Sequence, residues 1–256
     1  MSDDIKEVKA YTEITLDYPV LPIVKPENSV MANIIEGGGI LFYQDQLEKF
    51  NREYYKDLKL IEWWKNEYFS GLDGVVLYSY LRELRPSRYV EIGSGMSTMF
   101  ARRAAIDGGF PLTIVSIDPQ PRADVSKICD EVIRAPLEMV NPADFEYLEE
   151  NDVFFFDGSH RVYQNSDVVN FFMDVMPMFK RGVMVHMHDI MLPYDYPEDW
   201  IQRFYTEQYM LAAFLMGGHK DYRIMMPNSF AIGRGFVPKR FNEFGNFGGS
   251  FWMKKV

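Results

Sequence analysis

After Pro86, five short apolar runs alternate with helical stretches, and this alternation restricts the fold more than any other feature of the chain. The runs are 88–92 (RYVEI), 113–117 (TIVSI), 131–133 (EVI), 152–156 (DVFFF) and 182–187 (GVMVHM). A helix between consecutive strands carries the chain back to the same end of the sheet, so each strand starts in the same direction as the last. The expected class is therefore α/β: a doubly wound sheet, mostly parallel and covered by helices on both faces. Two further runs, 222–226 (YRIMM) and 229–233 (SFAIG), are separated only by Pro227 and Asn228. That gap is too short for a crossover, which predicts a closing antiparallel pair.

The segment before Pro86 reads differently. Residues 1 to about 40 carry Pro19, Pro22 and Pro26 and end in Gly37, Gly38 and Gly39, the pattern of an irregular arm followed by a hinge. From Leu41 to Phe69, the residues Leu47, Phe50, Tyr54, Leu58, Ile61 and Trp64 fall three or four apart, so they line one face of a helix or of two helices in series. LYSYLREL (77–84) is helical and stops before Pro86. The expected division is an arm and helical cap over 1–70 and a sheet domain over 71–256, built around one core.

Composition narrows the partners. The formal net charge of −10, from 27 Lys and Arg against 37 Asp and Glu, lacks the basic footprint that nucleic acid requires. Cys129 is the single cysteine, so no intrachain disulfide forms and no oxidising compartment is called for. The amino terminus, MSDDIKEVKA, has no apolar leader core, and no apolar run approaches the roughly 18–20 residues of a membrane span. A cytoplasmic protein without membrane contact is expected.

Doubly wound sheets bind ligands beyond the carboxyl ends of their strands, where strand order reverses. Those ends hold most of the distinctive polar chemistry of the chain: Glu91 to Gly95 after the first run, Asp118 after the second, Asp157 to His160 after the fourth, and His186 to Asp189 after the fifth. Gly93 and Gly95 match the first two glycines of a G-x-G-x-x-G turn, but the third position is Thr98 and no phosphate-gripping lysine follows. Asp118, 23 residues past Gly95, stands where a carboxylate accepts hydrogen bonds from ribose hydroxyls. A carboxylate at Glu91 would repel a pyrophosphate, whereas it would attract a ligand bearing an ammonium and a sulfonium, or organise the turn. S-adenosylmethionine is such a ligand. The candidate cofactor-binding residues are Glu91, Gly93, Ser94, Gly95, Ser97, Asp118 and Asp157.

VEIGSGMST (90–98) resembles the cofactor loop of class I S-adenosylmethionine-dependent methyltransferases, with Glu91, Gly93 and Gly95 in matching positions. IDPQP (117–121), DVFFFDGSH (152–160), GVMVHMHDIMLPYDYPEDW (182–200) and EQYMLAAFL (207–215) resemble the branch called methyltransferase family 24, found among enzymes acting on sugars, glycans and small natural products. The likeness runs from about residue 70 to the end. It departs at Asp118, where the branch more often has Glu, and residues 1 to about 65 lie outside it. The resemblance implies a Rossmann-like sheet with a final antiparallel strand, and O-methylation of a hydroxyl on a small molecule, sugar or natural-product intermediate.

Methyl transfer to an alcohol needs in-line alignment and loss of the alcohol's proton, to a general base or with help from a metal. His160 is the first choice for the base and His188 the second. Asp157 would orient cofactor or substrate, and Asp189 would fix a histidine tautomer. His186 and His188, two apart, would share one face of a strand. In related methyltransferases a divalent cation sits between a carboxylate after the fourth strand and an acidic pair after the fifth. By resemblance those positions are Asp157, His188 and Asp189, a set suited to Mn²⁺ or Fe²⁺ more than to Mg²⁺. Two other readings stay open: a metal-dependent hydrolase or oxygenase using the His/Asp cluster, and an NAD(P) oxidoreductase, which Glu91 and Thr98 disfavour. The stretch 198–218 reads as one helix with apolar surface enough either for a homodimer interface or for burial against the sheet. FGNFGGSFW (244–252) reads as a glycine-spaced surface loop before a final strand.

Overall fold

The computed structural model describes residues 23–69, 71–121, 125–218 and 220–256. Most of the expected arm, 1–22, and His219 lie outside the described residues. Strands β1 (Arg88–Ile92), β2 (Thr113–Ile117), β3 (Glu131–Ile133), β4 (Val153–Phe156) and β5 (Met184–Met187) pair in parallel, as the alternation requires. Two antiparallel strands, β6 (Tyr222–Pro227) and β7 (Phe251–Lys255), complete a seven-stranded sheet in the order β3-β2-β1-β4-β5-β7-β6. Strand order reverses between β1 and β4, so the crevice opens beyond Ile92 and Phe156.

The described helices are α1 (Ser29–Gly37), α2 (Ile40–Glu53), α3 (Tyr55–Leu58), α4 (Leu72–Leu84), α5 (Met96–Gly108), α6 (Asp167–Asn170), α7 (Glu207–Met216) and α8 (Asn228–Gly233). The alternating residues of the strands explain how both sheet faces are filled. On one face the cross-strand row Ser116, Glu91, Phe155, His186 and Trp252 lies side by side. Phe69 packs on Phe155 at 5.9 Å between ring centres, and Tyr80 of α4 packs on Trp252 at 5.0 Å. On the other face Phe154 and Phe156 stack against Phe171 at 5.6 and 4.3 Å. The apolar core is continuous from Met31 to Met253, so the cap helices share it with the sheet.

Four expectations need correction. Residues 29–37 form α1, not an irregular arm: Asn28 caps it by accepting from the Val30 and Met31 amides, and Met31, Ala32 and Ile35 are buried. Residues 229–233 are helical within α8, and the strand that pairs with β6 is β7, drawn from much later in the chain. The stretch 198–218 is broken at Phe204, whose φ of 54° ends a 3₁₀ turn over Glu198–Arg203 before α7 starts. The end of the glycine-spaced loop is also not superficial, since Gly248, Gly249 and Ser250 are buried. No helix among the described residues is long and apolar enough to cross a membrane.

Candidate active site

The turn after β1 is held by its own side chains. Gly93 has φ +79°, and a Cβ there would stand 2.1 Å from the Asp157 carbonyl oxygen, so no other residue fits where the β1 and β4 loops meet. A Cβ at Gly95 would meet nothing within 4 Å and would point into open space. Thr98 occupies the third glycine position for a reason: its hydroxyl accepts from the Gly95 amide at 3.2 Å and donates to Glu91 Oε1, closing the first turn of α5. The Ser97 hydroxyl donates to Glu91 Oε2 at 3.1 Å. Glu91 is fully buried, and that burial raises its carboxyl to about 7 even though the hydroxyls of Thr98, Ser94 and Ser97 favour the ionised form. Of the two roles open to Glu91, this geometry favours organising the turn over facing a ligand. The Ser94 hydroxyl turns inward to Ser116 Oγ at 2.5 Å. Asp118 Oδ2 accepts from the Ser94 amide at 2.9 Å and Oδ1 from the Gln120 amide at 2.8 Å, so among the described residues each oxygen keeps a lone pair for a further donor.

Across the crevice, the β4 and β5 loops and the start of α7 converge. Asp167 pins the β4 loop by accepting from the Ser159 amide and hydroxyl, both at 2.5 Å. His160 Nε2 lies 3.3 Å from Asp157 Oδ1 and 3.5 Å from Asp189 Oδ2, while its Nδ1 lies 2.8 Å from Oε2 of the fully buried Glu207. His160 and Asp189 sit at φ +61° and +55°, a left-handed conformation that costs a side-chain-bearing residue energy and is kept where the surroundings dictate it. Burial alone would push the His160 imidazole down. The Asp157 and Glu207 carboxylates outweigh it and hold the imidazolium well above the usual histidine range. Burial likewise raises Glu207 to about 7 against the pull of His160. Burial would also raise both remaining carboxyls, but the His188 and His160 charges keep Asp157 well below its ordinary range, while Asp189 stays above it. Two neighbouring carboxylates with pKa values driven apart are a common basis for acid and base roles.

His188 Nδ1 lies 3.3 Å from Asp157 Oδ1 and 3.6 Å from Asp189 Oδ1, and its Nε2 lies 3.3 Å from Asp73 Oδ2. Asp73, at the start of α4, is fully buried and accepts from Asn228 Nδ2, Gly249 N and Ser250 N at 2.8, 2.9 and 2.8 Å. These carboxylates overcome burial and keep His188 well above its ordinary pKa. His186 shares the face of His188, both packing on Phe69, but it behaves oppositely. It stacks on Trp252 at 3.9 Å, bonds Ser250 Oγ at 2.7 Å, and is held neutral by burial and the adjacent His188 charge.

The structure thus gathers His160, His188, Asp157 and Asp189 in one cluster and sets His186 apart. Glu207 and Asp73 went unread in the sequence. Each was visible as a lone acid in the first turn of a helix whose following residues are mostly apolar. The ligand atoms of Asp157, His160 and Asp189 lie within 4.8 Å of one another, so a cation between them would be held by His160 in place of the His188 that resemblance suggested. Glu207 behind His160 Nδ1 fits that role, since it leaves Nε2 to face the carboxylates.

Residues 90–190 match the family model described as a methyltransferase domain. An uncharacterized protein from Archaeoglobus fulgidus is 33% identical over 103 residues, which are 37% of this chain and 46% of that relative. The match therefore spans less than half the length of that relative. Among solved structures, the SAH-bound methyltransferase from Podospora anserina is 16% identical with a TM-score of 0.47, covering 92% of this chain and 100% of that one. The O-methyltransferase from Bacillus cereus in complex with SAH is 14% identical with a TM-score of 0.43, covering 89% and 97%.

Proposed function

We propose that the protein, whose residues 90–190 match the methyltransferase-domain model, is an S-adenosylmethionine-dependent O-methyltransferase acting on a hydroxyl of a small molecule or glycosyl unit. The observation that carries this reading is the junction of Gly93 with the Asp157 carbonyl, which sets the turn after β1 directly against the His160 cluster. The turn fits the cofactor: Gly95 leaves open space for backbone approach, Asp118 offers free lone pairs for ribose hydroxyls, and no lysine waits for phosphate. Bound there, S-adenosylmethionine supplies an electrophilic methyl group on sulfur.

The remaining chemistry belongs to the chain. Asp157, ionised and one-third exposed, would align the positive end of the cofactor. His160 takes the acceptor's proton at Nε2 once it has shed the proton that Asp157 and Glu207 stabilise, while Glu207 fixes its ring. In a metal-assisted alternative, Asp157, His160 Nε2 and Asp189 would hold a divalent metal, which would lower the pKa of an acceptor hydroxyl in place of proton uptake by His160; the mixed oxygen and nitrogen set suits Mn²⁺ or Fe²⁺. The hydrolase reading is disfavoured because His186, half of its H-x-H pair, is neutral and sealed against Trp252. Titration calorimetry with S-adenosylhomocysteine tests the proposal: binding is expected in wild type and lost in Gly93→Arg, and a wild type that binds none would refute it.

A further inference from the structure

The wall beside His160 is aromatic and basic. Tyr205 packs on the His160 ring at 4.4 Å, Trp200 meets Tyr205 at 5.8 Å, and the exposed Phe247 meets Trp200 at 6.1 Å. The segment carrying them is tied to the cluster, because the Thr206 and Glu207 amides both donate to the His160 carbonyl, at 2.8 and 3.1 Å. Two guanidiniums flank the same rings. Arg203 lies 3.9 Å over Trp200 and 5.7 Å from Tyr205, and Arg161 lies 5.6 Å over Tyr205. Arg161 donates only to backbone carbonyls, Arg203 O at 3.0 Å and Ser159 O at 3.4 Å, and neither arginine meets a carboxylate among the described residues. Arg82, Arg88, Arg102, Arg103 and Arg234 each pair with Asp or Glu, whereas among the described residues Arg161 and Arg203 keep their charge free beside the site, as several surface arginines do elsewhere.

We propose that this wall binds the acceptor as a hydroxylated six-membered ring bearing a carboxylate, the ring among Trp200, Tyr205 and Phe247 and the carboxylate on Arg203 and Arg161. The inference rests on the methyltransferase reading and names its acceptor class. Its orientation follows from charge. The His160 and His188 charges are already matched by Asp157, Asp189, Glu207 and Asp73, whereas Arg203 and Arg161 have no carboxylate partner among the described residues, so the acceptor's carboxylate turns to the guanidiniums and its hydroxyl faces His160. Stacking on Trp200 holds Arg203 in place beforehand, which reduces the entropy lost when its planar fork meets a carboxylate.

The test uses the full chain saturated with S-adenosylhomocysteine, titrated with 3,4-dihydroxybenzoate and with catechol, and separately with glucuronate and with glucose. At least one acid is expected to bind about tenfold more tightly than its neutral counterpart, and which acid does so identifies a phenolic or a saccharide ring. Arg203→Glu is expected to abolish that preference while S-adenosylhomocysteine affinity stays unchanged, which also shows that the variant is folded. Acids that bind no better than the neutral rings, acids that do not bind, or a preference that survives Arg203→Glu would each overturn the inference and leave the methyltransferase reading standing. Failure of S-adenosylhomocysteine itself to bind would overturn both.

Discussion

Asp73→Asn isolates the buried charge beneath the active site. The substitution keeps the shape of the side chain, and the amide oxygen in the Oδ1 position still accepts from Asn228 Nδ2 and Ser250 N. The new NH₂ in the Oδ2 position confronts two donors, the Gly249 amide at 2.9 Å and His188 Nε2 at 3.3 Å. One buried backbone amide loses its acceptor, costing about 1–3 kcal/mol, and a buried ion pair is broken, costing about 3–5 kcal/mol when nothing replaces it. His188 retains Asp157 and Asp189, so the second figure is an upper bound and the expected total is about 4 kcal/mol, a fall in Tm of ~8–16 °C. Urea unfolding across pH carries a second signature. Asp73 is held below its ordinary 3.8, so its stabilisation is present above that value and lost as pH falls through the depressed folded pKa. His188 is raised above 6.5, so its share is complete below 6.5 and lost as pH climbs through the higher folded value. The gap between wild type and variant should therefore be widest between roughly pH 4 and 6.5 and shrink on both sides. A gap under about 1 kcal/mol, or one independent of pH, would refute the assignment of an ionised Asp73 paired with a charged His188.

Four other outcomes are expected. Gly93→Ala places a Cβ 2.1 Å from the Asp157 carbonyl at φ +79°, so stability should drop by at least about 2 kcal/mol and S-adenosylhomocysteine affinity more than tenfold, read by unfolding and calorimetry. The base form of His160 appears only above its raised pKa, so wild-type kcat should climb with pH above neutrality. Glu207→Gln removes one of the carboxylates that raise it and should move that limb to lower pH while lowering the plateau about tenfold. Dialysed protein should take up one equivalent of Mn²⁺ by metal analysis, and Asp189→Ala should not. His186→Phe should cost about 1 kcal/mol through the orphaned Ser250 hydroxyl yet leave cofactor affinity and the pH limb in place, since His186 lies outside the cluster.

What could be read in the chain before folding was whatever local pattern or covalent adjacency encodes. Five parallel strands follow from alternating apolar runs and helices, and Gly93, Asp118, Asp157, His160, His188 and Asp189 fall at strand ends because parallel crossovers bring every such end to one rim. Short segments defeat the same reasoning, since a run such as SFAIG satisfies either a strand or a helix, and its neighbours decide. Asn228 at the start of α8 reaches Asp73 while Ser250 holds the Asn228 amide, and those contacts join residues 155 and 22 apart.

Tertiary structure alone decided how the polar groups are charged and paired. Glu91 reads in the sequence as an anion at the mouth of a loop. In the fold it lies buried under two hydroxyls with its carboxyl raised to about 7. His186 and His188 are nearly indistinguishable in VHMHDI, yet one stacks neutral on Trp252 and the other is held charged by three carboxylates. Glu207 meets His160 across 47 residues. Residue type and spacing fix which side chains can reach a common rim, but protonation and partnership depend on burial and on charges a few ångströms away, which exist only once distant segments have packed.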